Sequence, residues 1–154
     1  MNRDIVVVAV LFIGCSGIAA DEIDYRQVAE EFAKCYGATM AAEDIYNAMG
    51  ITATAQAMGE IGNGAAISGA YLLSLNAQAS GKDSGTIGDY MPYIESLAGP
   101  YRNSILALAE LSLANDDPVM AIEALAKGLA ICDLLSDLQE ELVQAIRRES
   151  YGID

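Results

Sequence analysis

Apolar side chains recur at steps of three and four residues in four stretches of the chain, which is the spacing of one face of an α-helix. The last stretch, residues 118–146, shows this spacing most regularly. It follows Asn115-Asp116-Asp117, whose short side chains suit a helix N-terminus, and Pro118 fits a first helical turn. The predicted apolar face consists of Ile122, Leu125, Leu129, Cys132, Leu135, Leu138, Leu142 and Ile146.

Two further stretches predict helices with aliphatic or aromatic faces. Residues 23–49 carry Tyr25, Val28, Phe32, Cys35, Thr39, Ala42 and Tyr46 at this spacing, and residues 87–113 carry Ile94, Leu97, Tyr101, Ile105, Leu108 and Leu111. Because Pro100 lacks an N–H and crowds the preceding turn, we expect a kink or break near Ala98-Gly99. The polar tail, residues 149–154, is expected to fray.

Residues 52–79 predict a helix with a face of very small side chains. Ala55, Gly59, Gly62, Ala66, Gly69 and Leu73 follow the helical spacing. Glycine inside a helix costs up to about 1 kcal/mol relative to alanine, so this stripe favours close packing of another helix. The alternative is the floor of a groove for a ligand or a partner helix. Asn63-Gly64 is also a turn signal, so two shorter helices are the alternative to one.

Four helical stretches with short connections predict an all-α fold, a four-helix antiparallel bundle. We find no convincing strand and no repeat of fixed period. The 154-residue length suits one domain, and we assign residues 21–154 to the bundle.

The N-terminal residues predict a secretory signal peptide over residues 1–20. An apolar run, residues 5–13, precedes Gly17 and Ala19, small residues that suit cleavage after Ala19 or Ala20. The run is too short for a comfortable membrane span, so no stable membrane insertion is expected after cleavage. The expected location is therefore secreted or periplasmic. Cys15 introduces a minor alternative, a lipoprotein anchored through this cysteine.

Removal of the leader leaves two cysteines, Cys35 on the first predicted helix and Cys132 on the last. An even count in an oxidising compartment favours a disulfide that ties these helices together. The alternative is a pair of buried free thiols, which helical cores also accept.

Acidic residues outnumber basic ones by 22 to 8, which gives a formal charge of −14. Without a cluster of Lys or Arg, the chain is not expected to bind nucleic acid. A protein partner is expected, and the negative charge is compatible with a basic partner. The sequence is also compatible with a homo-oligomer. The simplest interpretation of the charge is a solvated acidic surface.

No residue pattern indicates catalysis, and the protein is not expected to be an enzyme. The chain has no histidine, which excludes imidazole-based triads and the usual histidine ligation of zinc or haem. No cofactor and no metal site are predicted. The carboxylates of Asp133, Asp137, Glu140 and Glu141 are interpreted as a solvated helix face.

Two sets of residues are candidates for an interface or groove. One is the small-residue stripe, and the other consists of three tyrosines on the third predicted helix, Tyr90, Tyr93 and Tyr101. The stripe positions are Gly59, Gly62, Ala66 and Gly69. Tyrosine suits both interfaces and the rim of an alanine-rich core, and the rim is the preferred interpretation.

The expected function is that of a small acidic secreted or periplasmic helical protein that acts by protein–protein contacts. An inhibitor, an immunity-type protein and an envelope accessory factor all belong to this class. The alternative is a helical bundle that binds a small apolar ligand. A carboxylate-dependent hydrolase ranks below both.

Overall fold

Four α-helices make up the computed structural model, which describes residues 24–83 and 85–151. They are α1 (Tyr25–Ala48), α2 (Thr52–Ala79), α3 (Ile87–Ala114) and α4 (Val119–Tyr151). No β-strand occurs among these described residues. The predicted all-α fold with four helices is thereby confirmed. The predicted leader, its cleavage site and Cys15 lie outside the described residues.

The helix ends follow from local hydrogen-bonding chemistry. Asp24 caps α1 by accepting hydrogen bonds from the backbone N–H groups of Arg26 and Gln27 at 3.0 and 3.1 Å. Thr86 and Asp89 form a capping box at the start of α3. After α1, Gly50 adopts a φ of 74°, a left-handed conformation that glycine reaches without steric cost.

Helices α1 and α2 pack closely and run antiparallel. Gly69, late in α2, lies beside Phe32, early in α1, whereas Gly59, early in α2, lies beside Glu43, late in α1. The helix axes approach closely because glycine has no side chain to separate them. Helix α1 also contacts α3 and α4, so it is covered by all three other helices.

Helices α3 and α4 form the second antiparallel pair. A Cβ at Gly128 of α4 would lie 3.2 Å from the Ile105 side chain of α3. Farther along α3, the Ser112 hydroxyl accepts a hydrogen bond from the backbone N–H of Ala121, near the start of α4. The predicted antiparallel bundle is therefore present, and the α1–α2 and α3–α4 turns lie at the same end.

The main core lies where all four helices meet. Its larger buried members include Phe32, Leu72 and Ile94, and five of its other buried members are alanine. Cys35 of α1 and Cys132 of α4 lie at disulfide distance, with Cα atoms 5.0 Å apart. This pair joins the first and last helices as predicted. Toward the two turns the core narrows to a second cluster whose buried members are Ala38, Ala41 and Ile105.

The structure confirms one continuous helix over residues 52–79, and it makes α3 and α4 more continuous or longer than the sequence predicts. Helix α2 runs unbroken through Asn63-Gly64, and α3 runs unbroken past Pro100. Pro100 cannot donate a hydrogen bond to the carbonyl of Ser96, but both residues are exposed, so water can bond to that carbonyl instead. Helix α4 continues to Tyr151, beyond the predicted end at residue 146, and in its last turns Glu149 accepts a 2.8 Å hydrogen bond from the Tyr71 hydroxyl of α2.

None of the described helices combines the length and the apolar character that crossing a membrane requires.

Candidate interaction surface

The small-residue stripe of α2 faces α1 across a tight contact. A Cβ added to Gly69 would lie 2.9 Å from the Ile94 side chain and 3.2 Å from Phe32, and one added to Gly62 would collide with Thr39. Ala66 is buried in the core between them. At Gly62 and Gly69 there is no room for even a methyl group, so no ligand can lie against them. Gly59 is partly exposed and lies beside the Glu43 carboxylate.

The three candidate tyrosines of α3 occupy different surroundings. Tyr90 is half-buried against the main core, and Tyr101 is half-buried against the second cluster. Tyr93 is more exposed, and its hydroxyl accepts a 3.3 Å hydrogen bond from the Arg26 guanidinium. Tyr90 and Tyr101 therefore extend the core outward, whereas Tyr93 links the starts of α1 and α3 at the surface.

Four acidic side chains in the middle of α4 point to solvent. Asp133, Asp137, Glu140 and Glu141 are exposed, and the last three line a shallow depression with Gln144 and Arg148. Every lining residue comes from this one helix, so no second element supplies a facing group. Among the described residues, no three His, Cys, Asp or Glu side chains are grouped so that they could hold a metal ion.

Leu111 and Ile122 depart from the predicted apolar faces because both are exposed. They are 47% and 62% accessible, although the helical spacing placed them in the core. At this end of the bundle Met49 and Ile51 of the α1–α2 turn are exposed as well, and none of the described helices covers Leu111 or Ile122 fully. The helix faces continue in the sequence beyond the point where the core ends.

Leu111 and Ile122 belong to a larger group of exposed apolar side chains around the α3–α4 turn. We call this group the hairpin end. It consists of Leu111, Leu113, Val119, Met120 and Ile122. Leu113 is 84% accessible, the most exposed of the five. Isolated exposed apolar residues are common on protein surfaces, whereas a concentration of them marks a site of contact with another molecule.

The turn that carries the hairpin end is held by backbone hydrogen bonds. The N–H of Asp117 donates to the Ser112 carbonyl at 3.0 Å, and the N–H of Asp116 donates to the Leu113 carbonyl at 3.4 Å. These two bonds form a Schellman motif, which places Asp116 in the left-handed region with a φ of 54°. Aspartate tolerates this conformation better than most residues with a side chain.

Side chains fix the same turn to both helices. The buried Ser112 hydroxyl accepts a 3.0 Å hydrogen bond from the Ala121 N–H, one of the N–H groups that a helix start leaves without a helical partner. Asp117 accepts a 3.0 Å hydrogen bond from the Val119 N–H, and the Asn115 amide donates to the Leu111 carbonyl at 2.8 Å. The hairpin end is therefore a defined structure.

Negative charge surrounds the hairpin end. The chain between Arg102 and Lys127 holds four acidic residues and no basic one; the four are Glu110, Asp116, Asp117 and Glu123. All four are exposed. Arg102 itself is engaged with Asp44, to which its guanidinium donates two hydrogen bonds of 2.8 and 2.6 Å. The result is an apolar projection surrounded by carboxylates.

The periodicity of the sequence did not single out this surface. Helical spacing predicts core positions for Leu111 and Ile122 and indicates no role for Leu113, Val119 and Met120. The signal available was that apolar residues occupy more than one helix face on both sides of Asn115-Asp116-Asp117, whereas one core-facing stripe needs only one.

No protein-family model matches the chain, and no curated protein or solved structure shows significant similarity to it.

Proposed function

We propose that this protein acts by binding another protein in an oxidising compartment, secreted or periplasmic, and not by catalysis. The observation that carries the proposal is the hairpin end, which presents five large apolar side chains to solvent on a fixed turn. Burying such side chains contributes roughly 1.5–3 kcal/mol each, which is enough for a few of them to support a specific complex. An inhibitor, an immunity-type protein or an envelope accessory factor would use a surface of this kind.

A fixed turn favours binding because less conformational freedom is lost on association. The Schellman motif and the Ser112–Ala121 hydrogen bond hold the backbone of the hairpin end in place. The link between Cys35 and Cys132 joins α4 to α1 and supports the same rigidity farther along the bundle. It also supports an oxidising location, where such bonds persist.

The alternative of a small apolar ligand held against α2 has less support. The side chains of α1 and α3 fill the space over Gly62 and Gly69. A carboxylate-dependent hydrolase likewise lacks support, because the acidic residues of α4 face water from one helix.

Site-specific photo-crosslinking in the native host tests the proposal. A benzophenone amino acid replaces Leu113 in one variant and Leu134 in a matched control; these leucines are 84% and 85% accessible. We expect a discrete protein adduct from position 113 and none of that size from position 134. The captured protein should then bind the purified chain directly, with loss of binding in Leu113→Ser. No adduct at 113, or identical adducts at both positions, would refute the proposal.

The location is tested separately by the intact mass of the protein exported from its native host, before and after reduction and alkylation. Secretion predicts a chain that begins at Ala20 or Asp21 and gains two alkyl groups only after reduction. A diacylated N-terminal Cys15 would indicate a lipoprotein instead. An uncleaved chain with free thiols would contradict the oxidising compartment.

A further inference from the structure

We infer that the partner of the hairpin end is a protein with an apolar cavity surrounded by basic side chains. The inference rests on the proposed function and adds the chemistry of the partner. It is drawn from three features of the α3–α4 turn region: exposed apolar side chains, a fixed turn and four exposed carboxylates in a segment without Lys or Arg.

The apolar side chains define the contact at the centre. Leu113 is 84% accessible and lies between Ser112, which is buried, and the turn. It therefore projects from the bundle and is suited to enter a cavity on the partner. Val119, Met120 and Ile122 are exposed at the start of α4, on the other side of the same turn. Met49 and Ile51 of the α1–α2 turn are also exposed at this end of the bundle, so the apolar character extends beyond α3 and α4.

The carboxylates define the chemistry at the edge. Glu110, Asp116, Asp117 and Glu123 belong to the same exposed segment as the apolar side chains. The sequence has no Lys or Arg between Arg102, which is bonded to Asp44, and Lys127, which is one helical turn beyond Glu123. Charge at the edge of an interface steers association and selects partners of opposite sign. The partner's edge should therefore carry Lys or Arg.

The same charges disfavour other occupants. A second copy of this chain would bring two sets of four carboxylates together, on molecules that each carry a formal charge of −14. Juxtaposed like charges cost several kcal/mol in an interface. An anionic lipid surface would repel the carboxylates for the same reason.

Selection from a random peptide library, displayed on phage and applied to the immobilised full chain, tests this inference without a known partner. We expect the enriched peptides to combine aliphatic or aromatic residues with flanking Lys or Arg. Binding of the synthetic peptide that is enriched most should weaken about tenfold or more in Leu113→Ser, because truncating a central apolar side chain removes much of the affinity. The same peptide should bind Leu134→Ser with unchanged affinity.

A charge-neutralised variant separates electrostatics from packing. It combines Glu110→Gln, Asp116→Asn, Asp117→Asn and Glu123→Gln; asparagine retains both the left-handed backbone at 116 and the cap at 117. We expect affinity for the basic peptide to fall about tenfold in low salt and the salt dependence to flatten, because both effects come from the removed charges. Circular dichroism and thermal melting establish that each variant is folded.

The outcomes distinguish the inference from the proposed function. If the enriched peptides require Leu113 but are neutral or acidic, or if the neutralised variant binds them equally well, the basic partner is refuted and the proposed function stands. If no enriched peptide depends on Leu113 and position 113 yields no photo-adduct, both fail. A dimer in sedimentation that Leu113→Ser dissociates, or vesicle binding by the wild-type chain, would replace the basic protein partner with that occupant.

Discussion

Single hydrogen bonds decide how the hairpin end is presented. The Ser112 hydroxyl and the Asp117 carboxylate each accept a bond from the first turn of α4, so α4 starts at a fixed angle to α3. An unpaired N–H in a partly buried helix start is costly, which makes these acceptors important.

Replacing Ser112 by alanine should therefore destabilise the protein. Ser112→Ala leaves the Ala121 N–H without its acceptor, and we expect the free energy of unfolding to fall by about 1–2 kcal/mol. Urea denaturation followed by circular dichroism measures this change. Ser104→Ala is the matched control, because the Ser104 hydroxyl is exposed and bonds only to the Tyr101 carbonyl. Equal effects of the two substitutions would show that the Ser112–Ala121 bond contributes nothing.

Tyr71 gives the fold a dependence on alkaline pH. The pKa of Tyr71 is raised above its usual value, mainly because the phenol is partly buried and secondly because it donates a hydrogen bond to the Glu149 carboxylate. A raised phenol pKa favours the neutral form in the folded state. The resulting stability is fully present below the unfolded-state pKa of about 10 and is lost as pH rises above it. The pKa of Tyr36 is also raised, mainly by burial and secondly by the negative charges of Glu95 and Glu43. Tyr71 therefore accounts for only part of the loss of stability at alkaline pH.

Tyr71→Phe should consequently reduce the fall in unfolding free energy between pH 9 and pH 11, read by urea denaturation at each pH. The substitution keeps the aromatic ring and removes the titrating hydroxyl. Tyr93→Phe, at an exposed position of α3, should leave the alkaline fall unchanged. An alkaline fall of the same size in Tyr71→Phe and wild type would contradict the role of this phenol.

At the scale of the helices, glycine marks where two backbones meet and where they do not. A Cβ at Gly37 of α1 would lie 2.6 Å from the Ala98 carbonyl oxygen of α3, and backbone cannot move aside as a flexible side chain can. Gly99 of α3 has no such neighbour within 4 Å. The same residue type thus has a packing role in one helix and none in the other.

Two alanine substitutions should accordingly differ in size. Gly37→Ala forces α1 and α3 apart, and we expect a loss of about 1–3 kcal/mol in unfolding free energy. Gly99→Ala meets no neighbouring helix, and the gain from replacing a helical glycine is offset because Pro100 disfavours helical backbone at a preceding residue that has a Cβ; we expect a change of less than about 1 kcal/mol. Chemical denaturation of both variants measures the difference. Stabilisation by Gly37→Ala would mean that α1 and α3 do not approach as closely as described.

At the scale of the whole molecule, the Cys35–Cys132 pair joins positions 97 residues apart and connects the first helix to the last. A cross-link of this span removes conformational freedom from the unfolded chain, and the helices between its ends supply most of the core. The bundle is therefore closed by packing and by a cysteine pair at disulfide distance between its first and last helices.

Removing this link should lower stability without changing the fold. For Cys35→Ala combined with Cys132→Ala, we expect the free energy of unfolding to fall by about 2–4 kcal/mol, with an upper value near 4.7 kcal/mol from chain entropy alone. Reduction with dithiothreitol should lower the stability of wild type and leave the double variant unaffected. If reduction also destabilises the double variant, the effect does not come from this pair.

The helices themselves follow from sequence because their signals are local. Apolar spacing, the Asp24 cap and the Gly50 stop all act within a few residues, and the predicted bounds of α1, α2 and α3 agree with the structure to within two residues. The pairing of Cys35 with Cys132 was also predictable, since the sequence leaves two cysteines after the expected leader and places each on an apolar helix face.

Only the tertiary structure decided which apolar residues are covered and where the last helix ends. Periodicity predicts core positions for Leu111 and Ile122, but burial requires a facing element, and none of the described helices covers these two side chains fully at that end. In the part of α4 beyond its predicted end, Glu149 bonds to Tyr71, 78 residues away in sequence. Interactions between residues close in sequence determine the helices. Exposure of the hairpin end depends instead on which residues the other helices cover, and only the tertiary structure shows this.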